Sequence, residues 1–349
     1  MQNGVAKFGT TFTKHMLTIE FDSDKGGWQE PQIGLFKNLS IHPAAKVLHY
    51  ACETFEGMKA YKGEDGQIRL FRPLLNLNRL NRSNEKVCLP QIDEQLLLRY
   101  IAKLVYTDRS YLPSIKDGGF YIRPTVISTD AGLCVDAGKT ALLYVILSPV
   151  GPYFGLDFQA IRVAAVSNYV RSWPGGTGDL KVGGNYSLVI YVTEQIKKQG
   201  CKTTLWLFGE DEKITEAGVM NFFMFFINDE GEKELRTPPL DTTILPGITR
   251  RSLLELSREW GEFKVSEDPI TFKELRHLLD NNRVLELMGA GTACVVCPIA
   301  EILYKDELFK VPTMQQKNPL YRRFYQSLND IQYGRIAHPW SYAIDPKQF

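Results

Sequence analysis

In QIDEQLLLRYIAKLVY, apolar residues at 92, 96, 97, 101, 104 and 105 recur at the spacing of one helix face, which predicts a helix over 91–106. TALLYVILSPV at 140–150 is a continuous apolar run and reads as a buried strand. Leu188, Val189, Val192 and Ile196 return to helical spacing, with Gly200 as the stop. TTLWLFG at 203–209 is a strand, and NFFMFFINDEGEKELRTPPL is a hairpin turning at Asp229, Glu230 and Gly231. Pro246-Gly247 leads into a helix from about 249 that ends at Gly261. Thr271 and Glu274 form a capping box ahead of a short helix, and 283–312 reads as strands and turns. Helices and strands mix without a regular βαβ alternation, so the expected class is α+β in two domains. The boundary falls in a polar-aromatic, Gly-containing stretch at 156–169, between a domain over 1–155 and another over 170–349.

Composition narrows the function. The 349 residues suit about two domains, and 44% apolar with 23% charged residues describe a globular chain. The 41 basic and 40 acidic residues balance, which argues against a nucleic-acid partner. The longest apolar run, 141–147, is far below the roughly 18–20 residues of a membrane helix, so no membrane partner is expected. The N-terminus has no apolar core of a signal peptide and carries Glu20, Asp22 and Asp24, unlike a transit peptide. Six cysteines, only Cys294 and Cys297 of them close together, make no disulfide framework and point to a reducing compartment. The expectation is cytoplasmic, with the mitochondrial matrix as the alternative for a processed chain.

One lysine stands between two glycine clusters, in GGTGDLKVGGNY at 175–186. A P-loop needs Gly before the lysine and Ser or Thr after it; Leu180 and Val182 rule it out. Gly289-Ala290-Gly291 begins like a dinucleotide fingerprint, but Cys294 replaces the third glycine. Two readings of Lys181 remain open: the solvated tip of a turn, or a reactive amine in a loop that lets a flat cofactor approach. A pyridoxal phosphate site needs a phosphate grip, an acid for the ring nitrogen and a Schiff-base lysine. LPGITRR offers a helix N-terminus at Ile248 and Thr249, GTA at 291–293 a hydroxyl and amides, and KITEAGVMNFF a carboxylate, Glu216, in a turn before an apolar strand.

These stretches, GTGDLKVGGNY, ITEAGVMN, LPGITRR and GTACVVCP, occur in an order that resembles the branched-chain-amino-acid aminotransferases, class IV pyridoxal-phosphate enzymes of fold type IV. FGTTFTKHM, HYACETFEGMKAY, LFRPLLNLNRLNRS, YIRPT, GEFKVSE and DIQYGR extend the resemblance from about Phe8 to Arg335, and CVVC is similar to the animal members. The resemblance implies a smaller N-terminal α/β domain and a larger, barrel-like mixed α/β domain that binds the cofactor. It implies transfer of the amino group of L-leucine, L-isoleucine or L-valine to 2-oxoglutarate, giving branched 2-oxo acids and glutamate. Lys181 then resembles the Schiff-base lysine that also moves the substrate Cα proton. Glu216 resembles the partner of the ring nitrogen and Tyr186 the donor to O3′. Arg79 resembles the phosphate arginine, with the Ile248 and Thr249 amides and Thr292. Thr292, Ala293 and Tyr50 resemble the substrate-carboxylate site, and Phe8, Phe55, Tyr121 and Tyr153 the walls of the side-chain pocket. Tyr50 and Val135 would reach in from the partner of a homodimer. Arg123 would answer the second carboxylate of glutamate, or else sit in a structural ion pair.

Val219 departs from the threonine common in the animal members, which leaves the reaction type intact and touches its tuning. No metal is expected, because CVVC lacks further ligands and the five histidines are scattered. Cys294 and Cys297 are either two buried thiols or, as the animal members imply, a redox-sensitive pair. The rival activities of the same fold are a D-amino-acid aminotransferase and an aminodeoxychorismate lyase; a cofactor-free thiol protein is the rival from another class.

Overall fold

The computed structural model describes residues 8–113, 118–151 and 159–349, and they form two compact units. The first comprises the described residues of Met1–Tyr153 with Leu180–Gly184 and Asn329–Phe349; the second comprises those of Phe154–Asp179 and Asn185–Leu328. The division is therefore not the sequential one expected. Lys181 and the C-terminal segment belong to the first unit, and the supposed linker 156–169 contains a barrel strand, Ile161–Val166. Local sequence carried no sign of this, because the lysine loop is placed by hydrogen bonds to residues 53–55, more than a hundred positions away.

The first unit is built on a nine-stranded sheet. Strands β1 (His15–Asp22), β2 (Gly27–Trp28), β3 (Gln32–Leu35), β4 (Glu53–Phe55), β5 (Met58–Lys62), β6 (Ile68–Phe71), β7 (Gly119–Ser128) and β8 (Thr140–Val150) are joined by the C-terminal strand Ser341–Ala343. The path runs C-terminal strand, β6, β5, β7, β8, β1, β2, with β3 on β1 and β4 on β7, every pairing antiparallel. Strand β8 has the span its apolar run predicts, but it alternates: Ala141, Leu143, Val145 and Leu147 are buried while Leu142, Tyr144 and Ile146 are half-buried. That period of two turns one row toward helices α2 (Pro73–Lys86) and α3 (Glu94–Thr107), where Leu77, Leu80, Leu97, Ile101 and Leu104 close the core. Helix α3 starts three residues later than expected because Asp93 caps it, accepting from the Leu96 amide at 2.6 Å. The short α1 (Lys46–Tyr50) precedes β4.

The second unit is a closed barrel. Strands β9 (Ile161–Val166), β10 (Thr203–Phe208), β11 (Lys213–Ala217), β12 (Met220–Ile227), β13 (Lys233–Thr237), β14 (Lys264–Glu267), β15 (Val284–Gly291), β16 (Val295–Tyr304) and β17 (Glu307–Lys310) form one sheet. The order β11, β10, β9, β16, β15, β12 returns to β11 through a further β11–β12 pairing, so six strands close on themselves. Strands β13 and β14 extend the sheet from β12, and β17 pairs with β16. Phe222, Met224, Phe226, Leu205, Leu287 and Ile299 fill the interior with Leu275 of α6 (Phe272–Asp280). The hairpin turns where expected, with Gly231 at φ 80°, a conformation glycine adopts without Cβ strain. Helix α4 (Gly184–Lys197) follows the lysine, α5 (Ile248–Trp260) ends at Gly261, and Thr271 caps α6 by accepting from the Glu274 amide. Helix α7 (Leu320–Gln332) begins on the Glu286 carboxylate, which accepts from the Leu320 and Tyr321 amides at 2.6 and 2.9 Å.

Candidate active site

In the first unit the lysine loop is bound like an added strand. The Lys181 amide donates to Ser83 Oγ at 3.0 Å, and its carbonyl accepts from the Phe55 amide at 3.0 Å. Val182 bridges Thr54 in antiparallel sense, and the Gly183 amide donates to the Glu53 carbonyl at 3.4 Å. A Cβ on Gly183 would displace the Glu53 carboxylate, so the glycine lets that side chain lie against the loop. Lys181 Nζ lies 4.3 Å from the centre of the Phe55 ring. It is thus the side chain of a fixed loop rather than the tip of a free turn.

The aromatic wall gathers beside it. The Arg123 guanidinium stands over Phe55 at 4.6 Å and over Tyr121 at 5.2 Å, and its Nη2 donates to the Tyr121 hydroxyl at 3.0 Å. Phe8 packs edge-on against Tyr121, with ring centres 4.9 Å apart. A Cβ on Gly57 would strike the Tyr121 hydroxyl, so this glycine makes room for it. Arg123 Nε is buried without a hydrogen-bond partner among the described residues, an arrangement suited to an incoming anion. Burial pushes the neighbouring Glu53 carboxyl up, and the Arg123 charge opposes this.

Arg79 lies on α2, buried, with Nε and Nη2 on the two oxygens of Glu56 at 2.7 and 2.9 Å. Tyr50 and Val135 are exposed, at 39% and 86%, and the Tyr50 hydroxyl donates to the Leu133 carbonyl. Tyr153 lies outside the described residues. The first unit therefore brings Phe8, Phe55, Tyr121, Arg123 and Lys181 together, with Arg79 tied to the same frame through Ser83, whose Oγ donates to the Arg79 carbonyl at 2.9 Å.

In the second unit Glu216 is not in a turn. It is 2% exposed, inside β11, opposite Asn221 of β12. Its Oε1 accepts from the Leu245 amide at 2.8 Å and its Oε2 pairs with Arg171 Nε at 3.2 Å. Asn221 Nδ2 donates to the Leu245 carbonyl at 2.8 Å, so strand and loop hold one another immediately before α5. Ile248 and Thr249 open that helix behind Gly247, and among the described residues no N-cap side chain hydrogen-bonds its first turn, which leaves its amides suited to an anion. Tyr186 is in the first turn of α4, half-buried. Thr292 and Ala293 form, with Cys294, the tight loop between β15 and β16, closed by the Gly291–Val295 pair.

The two thiols sit in different local structures. Cys294 is in that loop, 3.4 Å from Met220 Sδ, and Val295 between the cysteines has φ 62°. Cys297 is in β16 opposite Gly289. Both are buried, and burial pushes the Cys297 thiol well up. Val219 is 58% exposed between β11 and β12.

Sequence reading passed over Ser83, Glu56, Arg171 and Asn221. The available signal was polar spacing: Asn76, Arg79 and Ser83 follow at i, i+3 and i+7 in an otherwise leucine-rich stretch, and all are buried.

The chain matches the family Amino-transferase class IV over residues 53–302. It is 50% identical to the cytosolic branched-chain-amino-acid aminotransferase of Mus musculus over 97% of this chain and 87% of that one. Against the mitochondrial enzyme of Rattus norvegicus the identity is 48% over 97% of this chain and 86% of that one. Its fold matches the branched-chain amino acid aminotransferase of Thermobaculum terrenum in its PLP (holo) form with a TM-score of 0.75, covering 96% of this chain and 99% of that one, at 20% identity, which speaks to the fold alone. The sheet of the first unit and the closed barrel of the second are thus those of a fold-type IV aminotransferase. The chain belongs to the branched-chain-amino-acid aminotransferases, pyridoxal-phosphate-dependent transaminases of class IV.

Proposed function

We propose that this protein moves the amino group of L-leucine, L-isoleucine or L-valine to 2-oxoglutarate, reversibly, using pyridoxal 5′-phosphate attached to Lys181. The carrying observation is the group in which Lys181 Nζ and the Arg123 guanidinium share the Phe55 ring, with Arg123 Nε buried and unpartnered among the described residues. An amine, an aromatic wall and an unanswered guanidinium suit a branched apolar side chain in one half-reaction and a second carboxylate in the other.

The donor set fits the cofactor. In the first unit the buried Arg79 suits a phosphate; in the second the helix start at Ile248 suits an anion and the buried Glu216 suits a protonated ring nitrogen. When bound, pyridoxal phosphate supplies the electron sink for the substrate carbanion. Arg79, the Ile248 and Thr249 amides and Thr292 take the phosphate. Glu216 keeps a proton on the ring nitrogen; its buried carboxylate is held in place by the Leu245 amide and Arg171. Tyr186 donates to the ring oxygen. Lys181 Nζ would hold the cofactor and would move the substrate Cα proton, its backbone anchored by Ser83 and Phe55. Phe8, Phe55, Tyr121 and Tyr153 line the side-chain pocket. Thr292, Ala293 and Tyr50 receive the α-carboxylate.

The reading includes a homodimer in which Tyr50 and Val135 serve the partner's site, supported by the exposure of both side chains. Six cysteines, only two of them close together in sequence, make no disulfide framework and support a reducing compartment, for which we propose the cytoplasm. The Cys294–Cys297 pair is proposed as a redox-sensitive element, because Cys294 directly follows Thr292 and Ala293 in the loop.

The test is the visible spectrum of the purified protein before and after L-leucine, without oxo acid. A yellow protein that bleaches with L-leucine and recovers with 2-oxoglutarate supports the reading. A yellow protein that answers only D-amino acids or aminodeoxychorismate replaces it with a rival activity, and one that takes up no pyridoxal phosphate removes the cofactor.

A further inference from the structure

Among the described residues the Glu56 carboxylate is the most completely enclosed charge of the first unit, with no exposed surface, and the reaction as described makes no use of it. Both oxygens are engaged. Oε1 accepts from Arg79 Nε at 2.7 Å; Oε2 accepts from Arg79 Nη2 at 2.9 Å, Asn76 Nδ2 at 2.8 Å and the Gly57 amide at 3.0 Å. Burial pushes this carboxyl up, but the Arg79 charge and hydrogen bonds, with Lys181 and Asn76, outweigh it and hold the group below the usual carboxylate range. A carboxylate so occupied and so held is a poor proton acceptor, which leaves positioning as its use.

The position is specific. The residue preceding it, Phe55, donates its amide to the Lys181 carbonyl, and the Glu56 amide donates to the Pro124 carbonyl of β7. On α2, Asn76 and Arg79 face Glu56, and Ser83, one turn further along, takes the Lys181 amide. One helix face and one short segment therefore fix the guanidinium and the reactive lysine together. Glu56 takes Arg79 Nε and Nη2 on its two oxygens, and a two-point contact of this kind orients the plane of a guanidinium. A buried ion pair is weak evidence for stability, since an apolar pair of similar volume serves as well, so its geometry calls for another use.

We propose that Glu56 is a positioning residue for the cofactor phosphate: through its two-point contact it sets the plane of the Arg79 guanidinium, so that the phosphate meets a fixed cation. This rests on the assignment of Arg79 to the phosphate. Glu56 then acts only on ligands that carry the phosphate, and only while Arg79 is present.

The test compares pyridoxal phosphate with pyridoxal, titrated into cofactor-free parent, Glu56→Gln, Arg79→Gln and the double variant, with circular dichroism as the check on folding. The parent binds pyridoxal phosphate far more tightly than pyridoxal. Glu56→Gln is expected to lose tenfold or more in affinity for pyridoxal phosphate, about one charge-assisted hydrogen bond, and less than about twofold for pyridoxal. In the Arg79→Gln background, Glu56→Gln then costs little more. Because a buried cation left unpaired can unfold the chain, Glu56→Asp serves as the second variant; it keeps the charge, shortens the reach, and is expected to show a smaller loss with the same phosphate selectivity. Equal losses for both ligands, or a full loss that persists without Arg79, overturn the inference and leave Glu56 a structural residue. If the parent itself does not discriminate between the two ligands, the assignment of Arg79 is what fails, and this inference with it.

Discussion

Ser83 Oγ accepts the Lys181 amide at 3.0 Å and donates to the Arg79 carbonyl at 2.9 Å, across 98 positions of sequence in the first case and one helix turn in the second. A single hydroxyl thus ties the reactive lysine to the helix that carries the arginine. Ser83→Ala leaves the Lys181 amide without that acceptor, at a cost on the order of 1–3 kcal/mol. The expected outcome is a lower melting temperature together with slower bleaching by L-leucine, read by thermal denaturation and stopped-flow absorbance. Unchanged melting and rate would remove Ser83 from the frame.

Lys181→Ala takes away the amine while leaving the backbone bonds of the loop. Turnover is expected to fall by at least about 10²–10⁴, the range for loss of a positioned acid–base group, with the fold retained. Steady-state rates and the absence of lysine-bound chromophore after borohydride and digestion check this.

Arg123 separates the two half-reactions. Its Nε is buried and unanswered among the described residues, so Arg123→Met is expected to lower kcat/KM for glutamate and 2-oxoglutarate by roughly 10- to 100-fold, the loss of one strong charge-assisted hydrogen bond. The value for L-leucine is expected to change by only a few-fold. Half-reaction kinetics with each substrate decide; equal losses would make Arg123 a structural residue.

Acid stability has an identifiable contribution from the barrel. Burial works to raise the Glu234 carboxyl, but hydrogen bonds from Ser266, Arg236 and Asn228 and the Arg236 charge bring it down to about 2. A folded-state value below the unfolded one adds stability that is present above the unfolded carboxylate range near 4.5 and lost as pH falls from there toward 2. The expected share is on the order of 2–3 kcal/mol. Denaturant unfolding from pH 6 to pH 2.5 is expected to show Glu234→Gln less stable at pH 6 and less dependent on acid than the parent.

Thiol reactivity divides by exposure. Cys88 and Cys134 are exposed, while Cys294 and Cys297 are buried. A thiol reagent is expected to titrate the exposed pair first, read by the number of thiols modified with time. If the redox proposal holds, slower oxidation by peroxide lowers activity, and Cys294→Ala with Cys297→Ala abolishes that loss; equal sensitivity in parent and variant refutes it.

Local pattern alone determined much of the chain. The β8 run, the turn at Gly231, the stop at Gly261 and the Thr271 cap follow from hydrophobic period and from residues whose own backbone or side chain ends an element. The motif order also pointed to Lys181 and Glu216 as residues of interest. What it left open was everything set by pairing at a distance. The closure of β11 on β12, the burial of Glu216 within that closure, the return of Ser341–Ala343 to β6, and the union of Lys181 with Phe55, Arg123 and Ser83 depend on strands and side chains far apart in sequence. Periodicity reports which face of an element is apolar, but not which other element covers it. For the same reason Glu56 and Arg171 were invisible as charges with partners: a buried carboxylate and a solvated one are the same letter until the fold removes the water.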